Sequence, residues 1–240
     1  MKLIHLDTVD STNSYVKTHM AELDNLTFVY SDRQTNGRGR LSRKWLDTGE
    51  DNLFLTIVIK PDTTSNISAY LPNLTQYLSV VLCDVLEQNN IIPNIKWPND
   101  VLINGKKIAG ILAEGVTSGG KVQGLALGIG INLNSKAESL ITIDKPATSI
   151  FNETGAKQNK EDFLKMLYEN FCLLYDDFVY EGFKSIKDLY LKRASFIGKQ
   201  IKINVLDVIH EGIAFGVTDD GALLLKEHNI INTYCIGDIL

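Results

Sequence analysis

Four of the five arginines in this 240-residue chain, Arg33, Arg38, Arg40 and Arg43, fall in one short stretch, and Lys44 follows directly. Elsewhere the positive charge rides on lysine, so this run asks for something lysine does not supply. A guanidinium presents a planar fork that grips phosphate or carboxylate oxygens in pairs, whereas an ammonium is a point charge. The segment from Gln34 to Trp45 contains no acid, alternates Gly37 and Gly39 with Arg38 and Arg40, and closes on the indole of Trp45. Glycine lets backbone approach a ligand closely. A loop of this composition in a chain of net charge −5 fits the grip on a small polyanion.

Four further segments carry chemistry-bearing residues. In Lys96-Trp97-Pro98-Asn99-Asp100, Pro98 biases Trp97 toward extended backbone and cannot donate to a ladder. Asn99 and Asp100 then stand where a strand begins, offering an amide and a carboxylate to a cleft; the same residues also read as a turn with a packed indole. Asn104-Gly105 is a hairpin turn presenting Lys106 and Lys107. Alternation sends the two lysines to opposite faces and predicts that Gly110 and Leu112 do not both share the side of Lys107. Gly110 inside a strand marks a close approach by a ligand. Asp10-Ser11-Thr12-Asn13 reads as a helix cap, or as hydroxyls and an amide for a small polar ligand. Gly128-Ile129-Gly130-Ile131-Asn132 is a strand end with an amide suited to a base edge. It lacks the third glycine of the dinucleotide fingerprint, and no GxxxxGK[ST] loop is present, so any nucleotide must draw its positive charge from the arginine loop.

The elements that position these residues are legible from periodicity. Residues 2–9 predict a first strand, 12–24 a helix and 27–31 a short strand. The apolar run 52–60 predicts a buried strand. Leu71, Leu74, Leu78, Val81, Leu82, Val85 and Leu86 recur at helical spacing, as do Phe163, Leu167, Phe171, Leu174 and Phe178. Strands are expected over 94–103, 107–117 and 121–131, with turns at 104–105 and 119–120. Residues 133–147 read as a loop. After about 195 the texture changes to short strands, 200–206, 209–218, 222–226 and 230–235, with a turn at 220–221, as in a small β-barrel.

At 44% apolar residues the chain can bury a full core in one large domain and one small one. Its acidic balance argues against general affinity for nucleic acid or membrane, and no apolar run approaches the roughly 20 residues of a membrane span. Asp7 comes too early for a signal peptide. Cys83, Cys172 and Cys235 form no CxxC pair and are expected to lie inert in the interior, which suits a reducing cytoplasm. His5, His19, His210 and His228 show no metal-ligand spacing.

Taken together and in this order, Asp10–Asn13, Gln34–Trp45, Lys96–Asp100, Lys106–Glu114 and Gly128–Asn132 resemble the biotin protein ligases (biotin–acetyl-CoA-carboxylase ligases) nearly end to end. GRGR with a downstream Trp, then KWPND, then KKIAGILAE, is a highly specific combination. Ser42 stands where many members carry another glycine. The resemblance implies an α+β protein: a mixed-sheet catalytic domain of the class II synthetase-like biotin/lipoate ligase fold over residues 1–194, and a small Src-homology-3-like β-barrel over 195–240. It implies ATP-dependent activation of biotin as biotinyl-5′-AMP with release of pyrophosphate, then transfer to a lysine of a biotin carboxyl carrier protein. A lipoate–protein ligase, which shares fold and acyl-adenylate logic, is the alternative; the pairing of GRGR with KWPND favours biotin. Lys107, Arg40 and Asp100 are implied as catalytic. Ser11, Thr12, Asn13, Gln34, Gly37, Arg38, Gly39, Arg40, Lys107, Gly110 and Gly128 are implied for biotin, with Gly110 and Gly128 leaving space for the bicycle. Arg38, Arg40, Arg43, Trp45, Asn99, Lys107 and Asn132 are implied for ATP, with Mg²⁺ arriving on the nucleotide rather than at a dedicated protein site. The first of these motifs begins at residue 10, with no room before it for a helix-turn-helix. That matches the monofunctional class, acting in the cytoplasm without a DNA partner and with homodimerisation left open.

Overall fold

The computed structural model describes every residue except Met1, Ser42, Glu50, 62–66 and Asp144, and of Ile67 and Ser68 only the backbone. The place of Ser42 in the arginine loop therefore lies outside the described residues. The chain opens with β1 (Lys2–Val9), α1 (Thr12–Thr18) and β2 (Thr27–Gln34), and β2 runs parallel to β1. The helix is shorter than the 12–24 expected, because the chain must turn back through 19–26 to start β2 beside the start of β1. β3 (Leu53–Ile59) pairs antiparallel with β2. Next come α2 (Ile67–Tyr70), a 3₁₀ turn (Leu71–Asn73) and α3 (Leu74–Gln88). The expected strand over 94–103 is two: β4 (Asn94–Lys96) and β5 (Asp100–Ile103) fold back on each other around Trp97-Pro98-Asn99. Both readings of that segment hold in part, since it is a turn and Asp100 does begin a strand.

The hairpin β6 (Lys106–Ser118) and β7 (Lys121–Ile131) completes a seven-stranded mixed sheet in the order β1-β2-β3-β7-β6-β5-β4. The predicted loop 133–147 contains a single helical turn, α4 (Ala137–Leu140), and α5 (Ile150–Thr154) follows. α6 (Lys160–Glu181) and α7 (Phe183–Arg193) close the larger part of the chain. β8 (Gln200–Val205), β9 (Val208–Val217), β10 (Leu223–Glu227), β11 (Ile230–Tyr234) and β12 (Asp238–Ile239) form a second, wholly antiparallel sheet in the order β11-β10-β9-β8-β12. Its two-residue β12 was not expected from the sequence.

β3 is buried along its whole length, and its two faces meet different layers. Leu53, Leu55, Ile57 and Ile59 enter the main core under α3 and α6, where Tyr77 and Phe171 meet edge to face with centroids 5.1 Å apart. Val58 enters a smaller core beneath α1 with Val16, Met20 and Ala126. β7 obeys the same period of two: Leu125, Leu127, Ile129 and Ile131 face the main core, while Gly124, Ala126, Gly128 and Gly130 form a floor of small residues on the α1 side. Each apolar side chain removed from water in these layers contributes about 1.5–3 kcal/mol. Arg193, the one arginine outside the stretch from Arg33 to Arg43, is spent on structure: it is buried and bridges α7 to Asp84 and Glu87 of α3.

The turn at Asp220-Gly221 seats the second sheet on the first domain. Gln76 donates to the Gly221 carbonyl at 2.8 Å, Asn73 to the Asp220 carbonyl at 2.8 Å, and the Trp97 indole N–H to Gly221 at 3.1 Å. Trp97 is thus the packed indole that its motif suggested, and it positions the second sheet over the end of β5. The cysteines differ from expectation: Cys83 is buried, and burial pushes its thiol up, but Cys172 and Cys235 are exposed.

Candidate active site

The arginine loop is a tight hairpin. Trp45 N–H donates to the Gly37 carbonyl at 3.0 Å, Gly39 N–H to Arg43 at 2.8 Å, and Arg38 bridges Lys44 between them. A side chain at Gly37 would meet the Trp45 carbonyl at 2.5 Å, so close backbone approach is the reason for glycine there. The hairpin lies across the sheet, and Trp45 rests on its glycine floor. A Cβ at Gly130 would fall 2.4 Å from the indole and one at Gly110 would fall 2.8 Å from it. These two glycines are cross-strand partners. The indole N–H is buried there without an acceptor.

Lys107 stands beside the same glycine, its Nζ 2.9 Å from where a Gly110 Cβ would be and 5.5 Å from the centre of the Trp45 ring. Strict alternation would put Lys107 and Gly110 on opposite faces. The register of β5 on β6 slips between Val101 and Leu102, whose partners are Ala109 and Lys107. The bulge inserts one residue, Ile108, which turns into the core, and so Lys107, Gly110 and Leu112 all line one cavity. Lys106 stays exposed, as expected.

Two hollows meet at this point. The larger, about 460 Å³, lies between the sheet, the hairpin and the second domain, lined by Arg40, Arg43, Asn99, Asp100, Lys107 and Asn132 among others. The smaller, about 30 Å³, is bounded by Ser11, Thr12, Asn13, Gln34 and Gly128. Arg38, Trp45, Gly110 and Leu112 border both. Of the residues proposed for biotin, Ser11, Thr12, Asn13, Gln34 and Gly128 line the small hollow, Arg38 and Gly110 border both, Gly39, Arg40 and Lys107 line the large cavity, and Gly37 lines neither.

The small hollow is a connected polar network. Thr12 N–H donates to Gln34 Oε1 at 2.8 Å, and the buried Thr56 hydroxyl lies within hydrogen-bond distance of both Thr12 and Asn13. Asn13 donates to Glu114 at 3.0 Å and to the Leu112 carbonyl at 3.3 Å. Glu114 also receives Lys17 at 2.9 Å and Arg38 at 3.0 Å. Burial works to raise the Glu114 carboxyl, but the hydrogen bonds from Lys17 and Asn13 and the charges of Lys17 and Arg38 outweigh it and hold it below the usual range. Ser11 occupies the N-cap position of α1 without a side-chain cap bond. Gly128 is required by the chain itself: a Cβ there would lie 2.1 Å from Asn13 Oδ1. Gly128 also lines the small hollow beside Asn13.

On the large-cavity side Lys107 pairs with Asp100 at 2.6 Å, so two residues assigned separate roles are in direct contact. Arg40 donates to Asp238 at 2.8 Å, to Asn99 at 3.1 Å and to the Gly237 carbonyl at 3.2 Å. Arg43 reaches the other Asp238 oxygen at 3.0 Å as an ion pair, without the alignment of a hydrogen bond. Asn132 lines the cavity while its amide donates to the Thr148 carbonyl at 3.0 Å, fixing the segment whose Pro146 and Ala147 pair with Lys107.

Three participants escaped the sequence reading. Thr56 had a signal, as the polar residue at the centre of an apolar strand. Glu114 ended a recognised motif but was read only as its border. Asp238 had none, because its partner Arg40 is 198 positions away. His5, Asp7 and Asp32 also gather within 4.8 Å of one another across β1 and β2, a cluster invisible to spacing along the chain. There His5 and Lys160 already pair with Asp32, each at 2.8 Å.

This fold and site define a class. Residues 6–132 match the biotin/lipoate A/B protein ligase family, and residues 196–239 match the biotin protein ligase C-terminal domain. The chain belongs to that family, and within it to the biotin protein ligases. It is 34% identical to the biotin–[acetyl-CoA-carboxylase] ligase of Paracoccus denitrificans over 226 residues, covering 92% of each chain. It is 33% identical to the bifunctional ligase/repressor BirA of Bacillus subtilis over 242 residues, 99% of this chain and 73% of that protein. The Aquifex aeolicus biotin protein ligase solved in complex with biotin and ATP superposes with a TM-score of 0.82 at 28% identity, covering 100% of this chain and 97% of that one.

Proposed function

We propose that this enzyme activates biotin with ATP to biotinyl-5′-AMP, releasing pyrophosphate, and then acylates a lysine of a carboxylase biotin carrier protein. One observation carries the reading: the polar hollow and the cation-lined cavity share Gly110, with Lys107 beside it. A carboxylate entering from one side and an α-phosphate from the other meet at that point. Two anions repel, and preorganised cations that neutralise them where charge develops give the largest single contribution to such a step.

Lys107 contacts the developing bond, while Arg40 and Arg43 hang from the hairpin over the phosphates. Ser11, Thr12 and Gln34 meet the ureido ring at the small hollow. A space of about 30 Å³ accommodates about one water, so biotin enters as Trp45 lifts from the Gly110–Gly130 pair. Asn99 and Asn132 serve the nucleotide. The hairpin then excludes water from the mixed anhydride. In the second step the acceptor lysine attacks the biotinyl carbonyl, AMP departs, and Asp100 takes up the ammonium as it sheds its proton.

Asp100 and Asp238 are the carboxylates on the cavity wall among the described residues, and Asp238 Oδ2 lacks a hydrogen-bond partner. Hard oxygen donors of this kind fit Mg²⁺ carried in with ATP, which would neutralise phosphate charge. The domain division after residue 194 is supported by the end of α7 at Arg193 and by the family match from 196. No helix among the described residues is long and apolar enough to cross a membrane, and we place the reaction in the cytoplasm.

Biotin-dependent exchange of pyrophosphate into ATP, without acceptor, tests the first half-reaction. Mass spectrometry of a carrier domain after incubation with enzyme, ATP, Mg²⁺ and biotin tests the second. Exchange that proceeds with lipoate and not with biotin overturns the assignment.

A further inference from the structure

Four residues form one row across the sheet. Gly130 of β7 pairs with Gly110 of β6, Gly110 with Asp100 of β5, and Asp100 with Lys96 of β4. Adjacent strands are about 4.8 Å apart, so the backbone of Lys96 stands about 10 Å along this row from Gly110. The row runs from the junction of the two hollows outward through the large cavity, which Lys96 also lines. Every other cation reaching this wall from the hairpin or β6, apart from Lys44, has a carboxylate: Lys107 has Asp100, and Arg40 and Arg43 share Asp238. Among the described residues, Lys96 has no carboxylate within 4.0 Å. It is half-buried, with Lys145 at the cavity rim nearby. Burial, then the charges of Lys145 and Lys107, draw its ammonium below the usual lysine range against the opposing pull of Asp100 and Asp238. A half-buried ammonium without an anion hydrogen-bonded to it is poised to take one from a ligand.

We infer that Lys96 is a further catalytic residue of adenylation, contacting the β- and γ-phosphates of ATP and holding the pyrophosphate as it leaves. This rests on the adenylation reading above. With the α-phosphate over Gly110 beside Lys107, the rest of the triphosphate extends along the row, over Asp100 toward Lys96. As the carboxylate oxygen bonds to the α-phosphorus, the α–β anhydride bond breaks and its electron pair leaves on the pyrophosphate. Negative charge therefore grows at the outer end of the row, where Lys96 stands. Biotinyl-AMP contains no β- or γ-phosphate, so Lys96 contributes nothing to holding it.

The test uses full-length enzyme and the variants Lys96→Ala, Lys96→Gln and Lys96→Arg, each checked for native circular dichroism. Rates of biotinyl-AMP formation, inhibition by pyrophosphate, and binding of preformed biotinyl-AMP are measured on each. Lys96→Ala and Lys96→Gln are expected to form the adenylate about a hundredfold more slowly, within the range for loss of one preorganised donor. Both should weaken pyrophosphate inhibition, and Lys96→Arg should restore much of each. Affinity for biotinyl-AMP and transfer from it to a carrier domain should stay at wild-type values. Unchanged pyrophosphate inhibition in folded Lys96→Gln overturns the inference, as does an equal loss of biotinyl-AMP affinity. Absence of biotin-dependent pyrophosphate exchange in the wild type would instead sink the adenylation reading itself.

Discussion

Replacing Asp238 by Asn tests how the second domain governs retention of the intermediate. Asp238 accepts from Arg40 at 2.8 Å and faces Arg43 at 3.0 Å, with its own side chain 12% exposed. A hydrogen bond between charged groups contributes about 1.5–3 kcal/mol net. Arg40 is 25% exposed and Arg43 is 52% exposed, and screening cuts an exposed pair to below about 1 kcal/mol. Asn keeps the shape and one acceptor for Arg40 but removes the charge from both contacts. The closed hairpin should lose about 1.5 kcal/mol, and every 1.4 kcal/mol is tenfold in an equilibrium. Release of biotinyl-AMP from Asp238→Asn, followed after rapid dilution into excess unlabelled biotin, should therefore quicken about tenfold by the same arithmetic. Bystander lysines should be labelled more. The freed guanidinium groups can swing into water, so the urea midpoint should barely move. An unchanged release rate in Asp238→Asn, measured beside an Arg40→Gly variant that does leak, would show that Arg38–Glu114 and Trp45 hold the hairpin without Asp238.

Gly128→Ala should destabilise the fold by about 1–3 kcal/mol, the range for overpacking a tight interior, and should weaken biotin binding because Asn13 is forced from its hydrogen bonds; a wild-type urea midpoint would contradict this. Lys107→Ala should slow adenylate formation a few hundredfold, about 3–4 kcal/mol, in single-turnover assays. Asp100→Ala should slow transfer from preformed biotinyl-AMP more than it slows adenylation, although the 2.6 Å contact couples the pair; equal loss of both steps in both variants would end the division of labour. Glu114, whose carboxyl sits below the usual range, contributes stability that is present above its unfolded value of about 4.3 and is lost as pH falls through the lower folded value. The stability gap between wild type and Glu114→Gln should accordingly shrink on acidification below about pH 4.3, and a gap that widens there would reverse the assignment.

Much of this molecule can be read directly from residue order. Strand β3 follows from a near-continuous apolar run, as both of its faces are buried, and helices α3 and α6 follow from apolar residues three and four apart, because burial on one face imposes that period. The arginine hairpin was legible for a chemical reason: guanidinium, glycine and an aromatic without a nearby acid have few other uses. The motif segments also carried the family resemblance, since each preserves a local backbone geometry together with its side chains. Even the glycine floor was present in outline, as Gly124, Ala126, Gly128 and Gly130 stand at intervals of two. What occupies that floor was not legible.

Tertiary structure decided the rest. Alternation along β6 placed Lys107 and Gly110 on opposite faces, and one bulged residue reversed the answer, since register depends on the partner strand. Asp238 became part of the site only when Trp97, Asn73 and Gln76 received the turn at Gly221 and set the last strand over the cavity. The close approach of Asn13 to Gly128, where a Cβ would lie 2.1 Å from Asn13 Oδ1, joins segments 115 positions apart. The sequence by itself determined which groups could do acyl-adenylate chemistry, because that depends on side-chain type within short segments. Which cation faces which carboxylate, and that the two hollows meet at Gly110, was decided by contacts between segments far apart in the chain, whose geometry no local spacing encodes.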